Sequence, residues 1–176
     1  MKNPKSRHEK RWGERGDLTG EHGIGDAGQL FFAIIFFGVW IADSFFLNYT
    51  TQLNHFISGW IRNTLGIAIL IISGYCALAG MMIVFGEVRE NPSVIRKGVF
   101  SVVRHPIYVS EVLLYLGMFI LSMSLASLAV MLAATVFLYF LCRHEEKLLL
   151  KRFGKDYENY MQEVGMWFPW VKKDRG

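Results

Sequence analysis

Apolar residues in this chain gather in long runs separated by charged segments. Gln29–Leu47 holds one ionisable residue, Asp43, and Asn63–Phe85 holds none. Each is long enough to cross about 30 Å of hydrocarbon as a helix. Ile107–Cys142 is 36 residues with Glu111 as its one charge. At about 1.5 Å per residue it is too long for one crossing and right for two short ones, with the small, polar stretch Ser122–Ser127 as the turn between them. The pattern predicts an all-α integral membrane protein of about four transmembrane helices, at roughly 29–47, 62–85, 107–122 and 126–143. The last two form a short hairpin, and a cytoplasmic helical tail occupies 144–176.

Residues 1–28 are polar, contain six glycines and show no hydrophobic period, so they read as a flexible N-terminal arm ahead of a membrane domain at 29–176. Gly23, Gly25 and Gly28 spell G-x-G-x-x-G, but that spacing cradles a phosphate only after a buried strand. Here a charged leader precedes it, and the glycines read as a linker. The first apolar run lacks a small-residue cleavage site and is expected to be a retained helix.

Composition agrees with this picture: 52% of residues are hydrophobic and 19% charged, too apolar for an ordinary soluble domain. Charge adds orientation. Lysine and arginine number six in Met1–Gly28, none in Asn48–Trp60, four in Gly86–Pro106, none in Ser122–Ser127 and eight from Arg143 onward. This alternation places both termini in the cytoplasm. Topology and anionic lipid headgroups account for the net charge of +4 without a nucleic-acid partner. Cys76 and Cys142 lie in apolar runs and read as packing residues.

The loop after the second run, "GEVRENPSVIRKGVFSVVRHP", places turns at Asn91-Pro92 and at Gly98, and its Val99–Val103 stretch reads as extended. Pro106 is suited to the first position of a helix, with His105 as its cap and Arg104 just outside. Unpaired N–H groups at a helix start, joined by a guanidinium and an imidazole, suit an anion. Arg104 and His105 could equally be an interface anchor and a cap. After Cys142 the helix continues as "RHEEKLLLKRF", Gly154 stops it, and "KDYENYMQEV" forms a second short helix. If the last two runs pair, Arg104 and His105 face Arg143, Glu145 and Glu146 across one small site, with Glu111 further inside the third run.

In these residues the chain resembles the isoprenylcysteine carboxyl methyltransferase family and the wider group of small membrane methyltransferases that includes phospholipid methyltransferases. Val94, Ile95, Gly98, Phe100, Arg104, His105, Pro106 and Tyr108 carry one block of the resemblance, and "EEKLLLKRFGKDYENYMQEV" carries the other. The resemblance implies transfer of a methyl group from S-adenosyl-L-methionine to a lipophilic acceptor that enters from the bilayer at the cytoplasmic face. The acceptor it implies first is a carboxylate of the isoprenylcysteine type; a phospholipid amine or a small lipid amine or thiol is the alternative. Carried over by position, Val94, Ile95, Gly98 and Phe100 would line the adenosine. His105, Pro106 and Tyr108 would meet the methionine portion, and Glu145 would hold polar groups of the cofactor. Arg104 or Arg143 would orient the acceptor, and Glu111 or Glu146 would assist an amine. The sequence departs from the family pattern at Gly98-Val99-Phe100, where G-P-Y is usual, and at Ser110, where glycine is common.

Other readings remain open. The tail segment Arg152–Tyr157 is similar to the ending of sterol-type membrane reductases that use NADPH, although those have more spans. A non-catalytic membrane adaptor would use the charges as anchors. A metal-dependent oxygenase would want more histidines than the five present. Asp43 reads as a paired or partly hydrated group near a span end. Trp12, Trp40, Trp60, Trp167 and Trp170 read as interface anchors, and Gly66, Gly74 and Gly80 as helix-packing positions.

Overall fold

The computed structural model describes residues 23–86 and 93–169. Five α-helices follow one another: α1 Gly23–Ile41, α2 Gly59–Phe85, α3 Pro106–Ser122, α4 Leu125–Phe153 and α5 Lys155–Glu163. α1 continues into a π-helical segment, Ala42–Leu47, and Gly25–Leu47 forms one apolar rod of 23 residues. With α2 at 27 residues and α4 at 29, three helices among the described residues are long and apolar enough to cross a membrane. α3, the stretch expected as the third span, is apolar but has only 17 residues. That is roughly 26 Å, just short of the hydrocarbon thickness.

α1 begins at Gly23, which overturns the linker reading of Gly23, Gly25 and Gly28. The glycines let α1 close onto α4: a Cβ on Gly28 would fall 2.2 Å from Phe137 Cζ, and one on Gly25 would fall 3.0 Å from Leu141. Phe32 then packs on the Phe137 ring, with centroids 5.2 Å apart. The rest of the expected arm, with Trp12, the Asn91-Pro92 turn and Trp170, lies outside the described residues.

α2 and α3 pack along a stripe of small residues. Gly66, Ser73 and Gly80 are buried on α2 at seven-residue intervals. Side chains at Gly66 and Gly80 would meet Leu121 and Ile107 within 3 Å, whereas Gly74 faces open space and takes no part. Between the two glycines, Ser73 Oγ donates to the Ser110 carbonyl at 2.6 Å. Ser110 therefore sits inside this contact. Arg62 donates to the Leu121 carbonyl at 2.7 Å, satisfying an orphan acceptor at the end of α3.

At the end of the bundle away from the head of α3, Asp43 ties three segments together. Its carboxylate is 4% exposed. It accepts from the Tyr49 and Thr50 N–H groups at 3.0 and 3.1 Å, from the Thr50 hydroxyl, and from Ser124 Oγ at 2.6 Å. The same groups cap α4. Leu125 and Ala126 donate their N–H groups to Thr50, and Ser127 donates to Ser124 Oγ. Met123, in the left-handed region at φ 55°, closes the two-residue connection from α3 to α4. Asp43 is thus a fully paired staple.

Two further expectations change. Val99–Val103 is not extended: Gly98, at φ +58°, starts a 3₁₀ turn through Ser101. Ser101 Oγ closes that turn on the Gly98 carbonyl, so a local hydrogen bond overrides β-propensity. Val103 alone in the stretch bridges in parallel to Gly165. Of the tryptophans, Trp40 donates to the Met118 carbonyl at 2.9 Å and Trp167 to Cys142 Sγ at 3.3 Å, so both anchor within the protein, whereas Trp60 is exposed.

Replacing Asp43 with alanine takes the acceptor from four donors, on Tyr49, Thr50 and the buried Ser124. The expected loss is about 3 kcal/mol or more, because hydrogen bonds to charged groups contribute roughly 1.5–3 kcal/mol each. Unfolding in mixed detergent micelles, wild type against Asp43→Ala, measures it.

Candidate functional site

The site forms where the tail folds back over the head of α3. Pro106 occupies the first turn of α3 and His105 is the N-cap position, but the imidazole makes no capping hydrogen bond. Instead the main chain pairs with the tail. Arg104 N–H donates to the Gly165 carbonyl at 2.9 Å and His105 N–H to the Met166 carbonyl at 3.2 Å. Gly154, at φ +54°, makes this return possible by turning the chain between α4 and α5. Tyr157, Tyr160 and Val164 are buried as a small core against Val94, Leu149 and Phe153.

Beneath the return lies an ion pair. Arg104 and Glu146 side chains are 8% and 2% exposed. Arg104 Nε and Nη2 lie 2.8 and 2.7 Å from Glu146 Oε1. Nη1 donates to the carbonyls of Met161 and Val164 at 3.0 and 2.5 Å. All three guanidinium nitrogens are therefore spent on the protein. The anion site expected at Arg104 is filled by the chain's own Glu146.

Beside the pair opens a cavity of about 370 Å³, within the roughly 300–1,000 Å³ of small-molecule sites. Val94, Ile95 and Phe100 form one wall, with Leu149 and Phe153 of α4. Arg104, His105, Pro106 and Tyr108 from the head of α3 form another, with Glu145. Tyr108 donates its hydroxyl to Glu145 Oε1, and His105 Nδ1 lies 3.7 Å from Glu145 Oε2. His105 Nε2 is buried, lies 3.5 Å from Glu146 Oε1, and makes no hydrogen bond. The histidine and tyrosine rings stack at 5.7 Å.

The structure thus gathers Val94, Ile95, Phe100, Arg104, His105, Pro106, Tyr108 and Glu145 around one space. It does not bring every expected residue there. Gly98 shapes the turn without lining the cavity, and Glu146 lies behind it, paired with Arg104. Arg143 is 51% exposed and lies outside the lining, 3.7 Å from Glu146 Oε2. Lining residues not foreseen from sequence come from the first two helices: Asp26 and Gln29 of α1, with Met81, Val84 and Phe85 of α2. Asp26 falls in the polar stretch that reads as the arm, and an apolar lining residue at a span end carries no local signal.

Tyr157 and Tyr160 also line the cavity. Burial pushes both phenols above their ordinary pKa, so they act as neutral hydrogen-bonding groups. Tyr160 donates to the Phe100 carbonyl at 2.6 Å, holding the connecting segment against α5, and the Arg96 guanidinium lies over its ring at 5.6 Å. Arg96 in turn bridges Asp156 and Glu163.

A wall of buried charges thus lies beside an apolar one at one end of a bundle of membrane-length helices. Residues 55–156 match the phospholipid methyltransferase family. That is more than half of the chain, and the protein belongs to this family. No curated protein matches it.

Breaking the ion pair from either side leaves a buried charge. Arg104→Met and Glu146→Leu are each expected to cost about 3–5 kcal/mol, and the double variant less than their sum. A double-mutant cycle on unfolding in mixed micelles checks this.

Proposed function

We propose that the protein transfers a methyl group from S-adenosyl-L-methionine to a lipid acceptor at the cytoplasmic face of the membrane. The observation that carries this is the cavity that joins His105, Tyr108 and Glu145 to apolar walls. Its chemistry fits the cofactor. The Glu145 carboxylate, with the His105 ring and Tyr108 beside it, suits a zwitterionic methionine end, and Phe100, Val94, Ile95 and Phe153 suit an adenosine. When bound, the cofactor supplies a methyl group already activated by the sulfonium.

The work left to the protein is alignment and exclusion of water. Tyr108 fixes one oxygen of Glu145, so the carboxylate presents a set orientation to the cofactor's ammonium. The Arg104–Glu146 pair keeps the tail closed over the site. α1 packs on α4 and α2 on α3, with at most slight contact between α1 and α2, yet both line the cavity. The lipid enters through that seam. With α3 as a short fourth span, all four helices bound the acceptor's path and both termini lie in the cytoplasm, as the charge alternation supports.

For the acceptor, an amine head group is the better reading. The family match is to phospholipid methyltransferases, the lining carries Asp26 and Glu145, and among the described lining residues the one guanidinium, Arg104, is already paired. An apolar site also favours the neutral, nucleophilic form of an amine. The isoprenylcysteine-type carboxylate is the second reading, favoured by the exposed Arg143 guanidinium beside the site.

Calorimetric titration with S-adenosylhomocysteine should show binding by the wild type that weakens at least about tenfold, or about 1.4 kcal/mol, in Glu145→Gln and in His105→Ala. Labelled methyl transfer to phosphatidylethanolamine and to a farnesylated cysteine then separates the two acceptors. Folded wild type that binds no S-adenosylhomocysteine ends the methyltransferase reading.

A further inference from the structure

Away from the cavity end, where Asp26, Glu145 and Glu146 stand, the apolar helices hold two acidic residues among the described ones, Asp43 and Glu111, in very different states. Asp43 is saturated, with donors on both of its oxygens. Among the described residues Glu111 takes one hydrogen bond, from Tyr115 at 2.7 Å. A carboxyl group offers about four acceptor sites, so one phenol leaves most of them unused. Glu111 is also half-buried rather than sealed in. At its depth, about 8 Å along α3 from Pro106, the remaining exposure faces hydrocarbon or a polar guest. An ionisable group left in that condition is expensive, and packing needs do not explain it: a leucine would fill the same apolar helix at no polar cost.

Its position supplies a use. Tyr108, Glu111 and Tyr115 stand at i, i+3 and i+7 on one face of α3. Tyr108 lines the cavity, and Tyr115 is buried against Phe36 of α1, ring centroids 4.3 Å apart. Helical side chains lean toward the N-terminus of their helix, which on α3 is the cavity end. Tyr115 thus holds Glu111, which does not itself line the cavity but stands one turn further along α3 than Tyr108, which does. A lipid whose head group approaches the cavity along this face meets Glu111 next to Tyr108.

We propose that Glu111 is an acceptor-binding residue: its carboxyl group receives the N–H groups of the lipid amine at the membrane side of the cavity, and Tyr115 holds it in place. This rests on the methyltransferase reading above, and it selects hydrogen-bond donors over carboxylates as head groups.

The test uses the full-length protein in phosphatidylcholine bilayers containing graded phosphatidylethanolamine. Initial methylation rates and S-adenosylhomocysteine affinity are measured for wild type, Glu111→Gln, Glu111→Leu and Tyr115→Phe. For Glu111→Leu the KM for phosphatidylethanolamine is expected to rise about tenfold with kcat changed far less, which is the signature of lost uniform binding. Glu111→Gln, which keeps an acceptor oxygen, should fall between, and Tyr115→Phe should raise KM by about threefold. The affinity for S-adenosylhomocysteine should stay within about twofold in all three, since the cofactor wall is untouched. An unchanged KM in Glu111→Gln and Glu111→Leu overturns the proposal, as does loss of S-adenosylhomocysteine binding in folded Glu111→Gln, which would place Glu111 on the cofactor side. Should Glu111→Leu fail to fold, the Gln variant decides. Wild type that binds S-adenosylhomocysteine but leaves phosphatidylethanolamine unmethylated overturns this role while sparing the cofactor reading. Wild type that binds neither removes both.

Discussion

Taking a guanidinium and a carboxylate out of water costs several kcal/mol per ion, and mutual attraction offsets that only when the remaining hydrogen bonds are also made. Arg104 and Glu146 meet that condition because the Met161 and Val164 carbonyls complete the guanidinium. The pair therefore forms only when three segments are in place at once: the residue before α3, the extension of α4, and the chain leaving α5. The rest of the site follows. Gly165 and Met166 can cover the head of α3 only once Val164 is held, and His105 and Tyr108 can then face Glu145 across a closed wall.

This arrangement divides labour between neighbouring charges that look alike in sequence. Glu145 and Glu146 are adjacent, yet Glu146 is consumed in the ion pair and Glu145 borders the cavity. Arg104 and His105 divide the same way, the guanidinium spent on structure and the imidazole left with an unpaired nitrogen. Arg104 and Glu146, expected in catalytic roles, stand paired with each other and hold the tail against the head of α3.

Much of this was legible in the chain, for identifiable reasons. Long uncharged runs can only be buried in lipid or protein, so Asn63–Phe85 announced α2 directly. The proximity of Arg104 and His105 to Glu145 and Glu146 followed from pairing two short runs across a small polar turn. What escaped depended on contacts between segments far apart in sequence. The glycines at 25 and 28 lower helix propensity, and only Leu141 and the Phe137 ring on α4 show what their lack of a side chain allows. Val99 and Val103 have strand character, but Gly98 and Ser101 settle the turn locally. Asp43 could be placed in a span from sequence, though not joined to Ser124, 81 residues away.

α4 runs from Leu125 to Phe153 with no glycine or proline inside it, so it turns as one stiff shaft. Successive residues on such a shaft point about 100° apart, and a twist of one position would present Glu146 to the cavity and set Lys147, a like charge, against Arg104. The knot of Asp43, Thr50 and Ser124 grips the shaft at its first turn, roughly 32 Å from Glu145. That distant grip sets the angular phase of the whole helix, and with it the identity of the acid that greets the ligand.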